Sequence, residues 1–385
     1  MLSMATKRQI IDKQKAKYRK SGKKDKGKIL TALAETTGLT HGHLIRILSM
    51  RYEYRDKKVK SGRGRKPVYG ITHKRLLAEI WELLNYPSSR RLEAAVPAVL
   101  HNLERMGHKT FSEEFKKEML TLSHGTMDRL LSQDRKMIKP FGLSTTKPGS
   151  LLKSQIPVRR GTDWDDNRPG FLEIDLVAHC GSTTSGEYIN TLNCTDISSG
   201  WTESYAIKNK ARIHTLNAMR EIMKRLSFPL LGIDSDNGSE FINDHFLYYC
   251  KENDLCFTRS RPNHSNDSCY VEQKNWSVVR QSVGYDRYEG QDTVDLLNQF
   301  YGLLRLYNNF FMPSQKLIFK ERQGGSVKKK HDNAVTPYHR LMLDSNVDEL
   351  DKRTLESIFL SLDLLQIRKD MDKLLAKIKS LSLGY

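Results

Sequence analysis

The sequence has 385 residues, too many for one compact core, which predicts several domains. Its 64 Lys and Arg residues outnumber 45 Asp and Glu residues, and the net charge of +19 favours polyanions as partners. No apolar run approaches the roughly 18 residues that cross a bilayer, and the five cysteines lie singly. These features argue against a membrane protein, a disulfide scaffold and a zinc knuckle, so we expect a cytoplasmic, nucleoid-associated protein with reduced thiols.

The amino-terminal part of the chain holds most of the positive charge. Residues 1–70 contain 20 Lys and Arg against 5 Asp and Glu, which favours a DNA-binding segment over a solvated basic arm. Within them, residues 28–50 place apolar side chains at helical spacing on either side of Gly38, and Thr40 can cap the second helix. This pattern is typical of a helix-turn-helix domain. The residues predicted to face a major groove, at the front of its recognition helix, are His41, His43 and Arg46.

The same pattern occurs a second time. Residues 122–132 repeat residues 39–49 with the capping hydroxyl, the His-Gly pair, the arginine and the apolar pair in register. Two copies predict tandem DNA-binding units, with a basic helix-turn-helix domain over residues 1–70 and a second helical helix-turn-helix domain over residues 71–140.

A short basic connector, residues 61–67, lies between the two copies. Its Arg63 and Arg65 flank a glycine, and an extended segment of this kind can enter the narrow minor groove of A·T-rich DNA. A flexible basic linker is the alternative interpretation.

The pattern changes after a Ser/Thr/Lys/Gly/Pro-rich linker over residues 141–168. Three β-rich runs between residues 171 and 207 are separated by Gly/Ser turns, which predicts an antiparallel meander. Helical segments then alternate with short apolar strands. This order predicts an α/β fold in which a mixed sheet carries helices on its faces.

Acidic residues stand in or beside these elements. Asp175 lies within the first strand, Asp236 follows a short buried strand, and Glu272 opens a helix. A carboxylate in a buried strand is costly unless a cation meets it, and a set of three carboxylates suits Mg²⁺ or Mn²⁺ rather than zinc. A strand-end turn or a helix cap is the alternative for each acid alone. Asp234 competes with Asp236 because it lies on the same strand face, and Asp196 is interpreted as structural.

The sequence around Asp236 resembles that of a known superfamily. Residues 235–241 (SDNGSEF) resemble the second-aspartate motif of retroviral integrases and bacterial DDE transposases of insertion sequences. Thirty-five residues separate Asp236 from Glu272, which is the spacing typical of that superfamily. The Asn-Gly that follows Asp236, together with this spacing, favours Asp236 over Asp234.

Further segments match the superfamily in order. Residues 261–264 (RPNH) and 271–276 (VEQKNW) resemble the approach to its catalytic glutamate, and Asp175 resembles the first aspartate. Thr336-Pro337-Tyr338 with Leu341 resembles a short motif downstream of the core in insertion-sequence transposases. The match covers roughly residues 165–310. It lacks the zinc domain of retroviral integrases, since no cysteine precedes Cys180.

The resemblance implies a ribonuclease H-like catalytic core over residues 169–312. Asp175, Asp236 and Glu272 would be both the catalytic residues and the ligands of two Mg²⁺ (or Mn²⁺) ions. Such a site nicks a DNA strand at an element end and then transfers its 3′-hydroxyl into target DNA, with no protein nucleophile. Lys274 and Arg280 would hold phosphates of this DNA, although exposed charges of this kind can equally be solvated.

The resemblance also implies that double-stranded DNA, as element ends and target, is the partner. A homo-oligomer is expected because two ends are joined, and no membrane is involved. Residues 313–385 predict a basic linker and an amphipathic helical region that packs either on its own chain or on a second subunit. The alternative functions are a catalytically inactive DNA-binding regulator derived from a transposase and a ribonuclease H-class nuclease acting on RNA–DNA hybrids.

Overall fold

The computed structural model describes most of the chain, which forms two compact units, Met1–Val68 and Tyr69–Tyr385. Three of the predicted site residues, Arg63, Arg65 and Asp236, lie outside the described residues. The finer five-part division of the sequence stays a prediction. The described residues are 4–49, 68–137, 168–235, 241, 244–259, 269–323 and 326–383.

The first unit consists of three helices in its described part: α1 (Met4–Lys20), α2 (Lys23–Thr37) and α3 (His41–Ser49). Gly38 ends α2 with a φ of +67° and donates its N–H to the carbonyl of Ala34 at 2.7 Å. This left-handed backbone conformation is the usual helix stop and costs glycine nothing. Apolar side chains from all three helices form one small core, made of Ile11, Tyr18, Leu30, Leu33, Leu44 and Leu48.

The second unit begins with five helices, of which the first four share one hydrophobic core with later helices of the chain. Leu77 and Val99 from the first group and Phe310 from the second are fully buried in it. The bounds of the five helices are α4 (Ile71–Leu83), α5 (Ser89–Arg105), α6 (Glu113–Leu120), α7 (His124–Leu130) and α8 (Ser132–Met137).

A five-stranded sheet follows, in the spatial order β3-β2-β1-β4-β5. The first three strands form an antiparallel meander, and β4 and β5 add to it in parallel. The predicted α/β class with a mixed sheet is therefore confirmed. The strand bounds are β1 (Phe171–Ala178), β2 (Asn190–Asp196), β3 (Thr202–Ile207), β4 (Gly232–Ser235) and β5 (Cys256–Arg259).

Helices cover both faces of the sheet. On one face, Leu172 and Ile174 pack against α9 (Arg212–Met223) and α10 (Asp244–Glu252). Residues between them along β1 point to the other face because side chains alternate along a strand. That face packs on α11 (Cys269–Lys274), a π-helical segment (Asn275–Arg280), α12 (Gln281–Val283) and α13 (Gln291–Phe311).

The segment predicted as a basic linker is instead a β-hairpin of β6 (Leu317–Gln323) and β7 (Ser326–His331). The physical reason is the Gly324-Gly325 pair between two β-compatible runs, which is a two-residue hairpin signal. Three helices complete the chain: α14 (Pro337–Leu343), α15 (Glu349–Ser361) and α16 (Leu364–Ser380).

The tail packs on its own chain. The buried face of α16 includes Leu364 and Ile367, which join the core shared with α13. The Asn102 amide fixes the approach to α16, since it donates to the carbonyl of Leu362 at 2.7 Å and accepts from the N–H of Leu364 at 3.0 Å. Among the described helices, none combines the length and apolar character needed to cross a bilayer.

The downstream Thr-Pro-Tyr motif starts α14. Thr336 caps the helix by accepting from the N–H of His339 at 3.2 Å, and Pro337 occupies the first helical turn. Tyr338 and Leu341 are buried against α13 and α15. The motif therefore has a complete structural account as a capped helix that closes the core.

A chain of buried polar side chains joins the sheet to α13. We predict that it makes the stability of the fold depend on pH. His179 Nε2 lies 2.8 Å from the Thr191 hydroxyl, which lies 2.8 Å from the Tyr301 hydroxyl. Burial, assisted by the charge of Arg280, lowers the pKa of His179 to about 3. The unfolded chain takes up this proton near pH 6.5, so the contribution of neutral His179 to stability is lost as pH falls through that range.

As the pH falls from about 7 to about 4.5, the unfolded chain takes up a proton at His179 and the folded chain does not. We expect this difference to lower the free energy of unfolding by about 2–3 kcal/mol. His179→Gln should lower stability at neutral pH yet show a flatter fall on acidification. Urea unfolding of both proteins at the two pH values measures this. Parallel pH profiles would assign the acid sensitivity to other groups.

Candidate active site

Asp175 lies in β1 with its half-buried carboxylate held by two donors. Its Oδ1 accepts from the backbone N–H of Leu176 at 2.8 Å, and its Oδ2 accepts from the side-chain amide of Asn275 at 2.6 Å. Asn275 is the first residue of the π-helical segment that follows α11. Such segments are rare and occur frequently at functional sites.

A relay of hydrogen bonds orients this amide from across the sheet. The Ser204 hydroxyl donates to Asn193 Oδ1 at 3.0 Å, and Asn193 Nδ2 donates to Asn275 Oδ1 at 2.8 Å. Ser204, Asn193 and Asp175 are register partners on β3, β2 and β1. Because every amide in the relay both donates and accepts, the Asp175 carboxylate has a fixed orientation.

Glu173 fixes the start of the helix that carries Glu272. Its side chain is 2% exposed, and Oε2 accepts from the backbone N–H groups of Tyr270 and Val271 at 2.9 and 3.0 Å. These N–H groups have no partner within the helix, and a negative charge beside them is favourable. A single strand therefore supplies both the helix cap and the first of the predicted catalytic acids.

Glu272 is exposed in the first turn of α11, three residues before Asn275. Side chains three apart on a helix are neighbours, so the structure brings the turn of Glu272 to Asp175. Asp236 directly follows Ser235 in the sequence, and Ser235 pairs with Ile174, the residue before Asp175. Within the described residues, no group of three His, Cys, Asp or Glu side chains could hold a metal.

The competing aspartate, Asp234, and Asp196, which is interpreted as structural, both form hydrogen bonds within the sheet region. Asp234 is buried and accepts from the Thr258 hydroxyl at 2.6 Å. Asp196 is fully buried and accepts from the N–H of Gly170 at 2.8 Å and from both donors of Ser199 at 2.6 Å. Burial raises the pKa of Asp196, and these hydrogen bonds oppose the rise. Asp196 closes the turn after β2.

The predicted phosphate contacts on the Glu272 helix differ in their surroundings. Arg280 donates to the carbonyls of Ala178 and Gly284 at 2.6 and 3.3 Å and stacks on Tyr285. Burial lowers the pKa of Arg280, and its contacts tie the helix to β1. Lys274 is half-buried.

Burial lowers the pKa of Lys274 to about 8, and the positive charges of Arg91, Lys316 and Arg340 act in the same direction. Three further cations thus lie within electrostatic reach of Lys274 on the Glu272 helix. One of them, Arg340, is already paired with Asp332 at 2.7 Å.

The predicted recognition helix α3 presents a polar surface. His41 and Arg46 are exposed, His43 is half-buried, and Leu44 and Leu48 are buried beneath them. Arg46 Nη2 lies 2.9 Å from His43 Nδ1, three residues earlier.

The second sequence copy has the same local arrangement. In α7, Arg129 donates to the Thr126 hydroxyl at 3.0 Å, again three residues earlier. Met127 and Leu131 are buried where Leu44 and Leu48 are buried in the first copy. The repeated residues therefore form the same kind of surface in both units.

Glu173, Asn193 and Asn275 were not among the site residues predicted from the sequence. Asn275 had a usable signal, because it stands one helical turn after Glu272 within the VEQKNW segment. Glu173 and Asn193 had none, since their contacts join residues that are 97 and 82 positions apart.

For the metal-dependent DNA cleavage that the sequence resemblance implies, we expect Asn275→Leu to lower the rate by about 10–100-fold, because loss of a residue that orients a metal ligand has this typical cost. Its DNA affinity should stay unchanged. Asn298→Leu is the matched control, since Asn298 also bonds the sheet but contacts Ala206 rather than Asp175. Cleavage assays at a series of metal concentrations should show a raised metal requirement for the first variant alone. Equal losses in both would mean that Asn275 only stabilises the fold.

This chain is similar to known proteins both in structure and in sequence. The sequence matches no protein-family model. The HTLV-2 integrase catalytic core domain in complex with magnesium is similar with a TM-score of 0.29 and 15% identity, covering 38% of this chain and 90% of that chain. The BIV integrase catalytic core domain gives a TM-score of 0.28 and 14% identity, covering 44% and 91%. The simian T-cell lymphotropic virus intasome with PP2A regulatory subunit B56 gamma gives 0.31 and 15%, covering 55% and 68%.

A protein of Sinorhizobium fredii, the uncharacterized protein y4rM, is similar along nearly its whole length. It is 35% identical over 339 residues, which cover 88% of this chain and 96% of that protein. Identity at this level over this length shows common ancestry, and the chain belongs to the family of protein y4rM.

Proposed function

We propose that this protein is a DDE-type transposase, a polynucleotidyl transferase that nicks DNA at element ends and joins the freed 3′-hydroxyl to target DNA. Asp175, Asp236 and Glu272 are its proposed catalytic residues. The contact that carries the proposal is the hydrogen bond from Asn275 to Asp175, since it brings the turn of Glu272 to the acid in β1. The pairing of Ile174 with Ser235 supports the same arrangement, because Asp175 and Asp236 are the residues that follow this pair in the sequence.

The donor set fits Mg²⁺ or Mn²⁺. Both described acids supply carboxylate oxygens, the ligands that these hard cations prefer. Asp175 is half-buried with its two oxygens oriented by hydrogen-bond donors, and Glu272 is exposed. We propose two ions held by Asp175, Asp236 and Glu272.

When bound, a pair of such ions lowers the pKa of a water or DNA hydroxyl and stabilises the leaving oxygen. The protein's own part is positioning. Asn275 and the Leu176 N–H orient Asp175, while Glu173 holds the helix of Glu272 in place. Catalysis of this kind uses no protein nucleophile, so His179, which is buried in the chain to Tyr301, needs no covalent role.

The test is an assay with the full-length protein on duplexes that carry the inverted repeats flanking its gene. We expect nicking at the 3′ end and joining to a second duplex, both dependent on Mg²⁺ or Mn²⁺ and abolished by a chelator. Binding of the ends without nicking would indicate a DNA-binding regulator. Cleavage confined to the RNA strand of RNA–DNA hybrids would indicate a ribonuclease H-class nuclease.

We also propose that the first unit recognises the element ends through His41, His43 and Arg46, with Arg63 and Arg65 adding contacts to the minor groove. The exposed front of α3 above a buried apolar face suits a helix placed in a major groove. Joining two ends needs two active sites, so the working form is a homo-oligomer.

Deletion of residues 1–68 should abolish preference for element ends and weaken DNA binding by at least about 100-fold at physiological salt, because it removes most of the positive charge. The slope of log affinity against log salt should become shallower. Fluorescence anisotropy with end and scrambled duplexes measures both effects. Retained discrimination between the two duplexes would place recognition in residues 69–385.

A further inference from the structure

The hairpin of β6 and β7 exposes its described side chains on both faces. Its backbone pairing runs from Leu317 with His331 to Gln323 with Ser326. A two-stranded ribbon is marginally stable in water unless something packs on it. Its exposed side chains in the described part are Leu317, Ile318, Phe319, Glu321, Lys328, Lys329, Lys330 and His331.

The base of the hairpin is firmly anchored. Asp332, just after β7, accepts from the backbone N–H of Lys316 at 2.5 Å and from Arg340 Nη1 at 2.7 Å. The Lys316 ammonium donates to the carbonyls of Ile197, at 2.7 Å, and Ser198 in the turn after β2. These contacts fix the base of the hairpin to the second unit, whereas a flexible linker would have no such contacts.

Its charge identifies the class of partner. The residues of the two strands carry five Lys and Arg against one acid, Glu321. Lys328, Lys329 and Lys330 are consecutive and exposed, and consecutive strand residues point to opposite faces. Cations on both faces of a narrow ribbon fit a polyanion that surrounds it. The two walls of a DNA groove provide that geometry.

The exposed apolar residues indicate which class of polyanion the hairpin binds. Ile318 is 57% exposed and Phe319 52%, beside the lysines of the paired strand. Lysines alone would suit any polyanion, whereas apolar side chains next to them suit base edges, thymine methyl groups or a base step. The major groove of duplex DNA admits a two-stranded ribbon.

We propose that β6–β7 is a second DNA-binding element, which inserts into a groove of duplex DNA with Lys328–Lys330 on the phosphates and Phe319 on the bases. It shares only its ligand class with the proposed function. Its residues include none of the proposed catalytic acids and none of α3.

The test compares two full-length triple variants that lose the same charge. The hairpin variant is Lys328→Ala, Lys329→Ala, Lys330→Ala. The control changes exposed lysines of α16: Lys369→Ala, Lys377→Ala, Lys379→Ala. With a random-sequence duplex, the hairpin variant should bind about 10–100-fold more weakly, and its salt slope should fall by about 3 because each phosphate contact contributes about 0.9. The control should stay within about threefold of wild type.

Phe319→Ala separates base contact from charge. We expect about 5–30-fold weaker binding with an unchanged salt slope, since no phosphate contact is lost. Equal binding by the two triple variants, or wild-type binding by Phe319→Ala, would overturn the groove insertion. So would a hairpin variant that binds DNA normally but sediments as a smaller species, which would assign the ribbon to contacts between two copies of the chain.

The outcome is separable from that of the proposed function. Binding to a random duplex requires neither metal nor cleavage, whereas nicking depends on Asp175. A protein whose hairpin variants bind poorly and whose wild type never nicks DNA would support the ribbon and reject the transposase.

Discussion

Asp175→Asn, Asp236→Asn and Glu272→Gln should each lower metal-dependent nicking and joining by at least about 1,000-fold, equivalent to about 4 kcal/mol of transition-state stabilisation. Each substitution keeps the shape of the side chain and removes the negative charge that a divalent ion requires. DNA affinity should stay within about threefold of wild type, since no contact to DNA is removed. Gel-based cleavage and anisotropy on the same preparations measure the two quantities.

Asp234→Asn is the matched control for this series. Asp234 lies in β4, two residues before Asp236 in the sequence, and it is buried and accepts from the Thr258 hydroxyl. We expect its replacement to lower the midpoint of thermal unfolding, while its effect on the cleavage rate of the folded protein stays small. If Asp234→Asn eliminated cleavage and Asp236→Asn did not, the second catalytic aspartate would be Asp234. Loss of DNA binding in all variants would mean that the acids are structural.

Local patterns in the sequence were sufficient to predict the sheet. The three runs before residue 207 alternate and are separated by Gly/Ser turns, so the antiparallel meander follows from short-range signals. The alternation of helices and strands after it predicted β4 and β5. Asp175 was predicted as a site residue because a carboxylate in such a strand is costly and because it resembles the first aspartate of the superfamily.

Contacts between residues far apart in the sequence could not be predicted from local patterns. The charge of Arg280 suggested a phosphate contact, but only the fold shows that its guanidinium donates to the Ala178 carbonyl. The apolar stripe of α16 indicated burial without naming the surface that it meets, and that surface proved to include α13 of the same chain. Lysines and glycines between residues 319 and 330 suggested a linker, although the Gly324-Gly325 pair in the sequence is also compatible with the observed hairpin, whose base is anchored at Asp332.

A buried ion pair beneath the sheet should have the largest effect on stability. Glu203 in β3 is 1% exposed, and both of its oxygens accept from Arg305 Nε in α13, at 2.7 and 2.8 Å. The Trp201 indole donates to the same carboxylate at 2.8 Å. Burial raises the pKa of Glu203, and the charge of Arg305 opposes that rise.

Arg305→Met leaves this carboxylate buried without its cation, and we expect a loss of about 3–5 kcal/mol in unfolding free energy at neutral pH. The pKa of Glu203 should then rise further. A carboxyl group whose pKa is higher in the folded than in the unfolded state destabilises the fold once it ionises. The loss of unfolding free energy in Arg305→Met should therefore shrink below about pH 5 and grow as the pH rises. Urea unfolding at acidic and neutral pH measures it. Glu203→Gln combined with Arg305→Met should recover much of the loss, because replacing both partners removes the buried charge. A double variant as unstable as Arg305→Met would show instead that Arg305 acts through its packing on Trp201 and its bond to the Arg225 carbonyl.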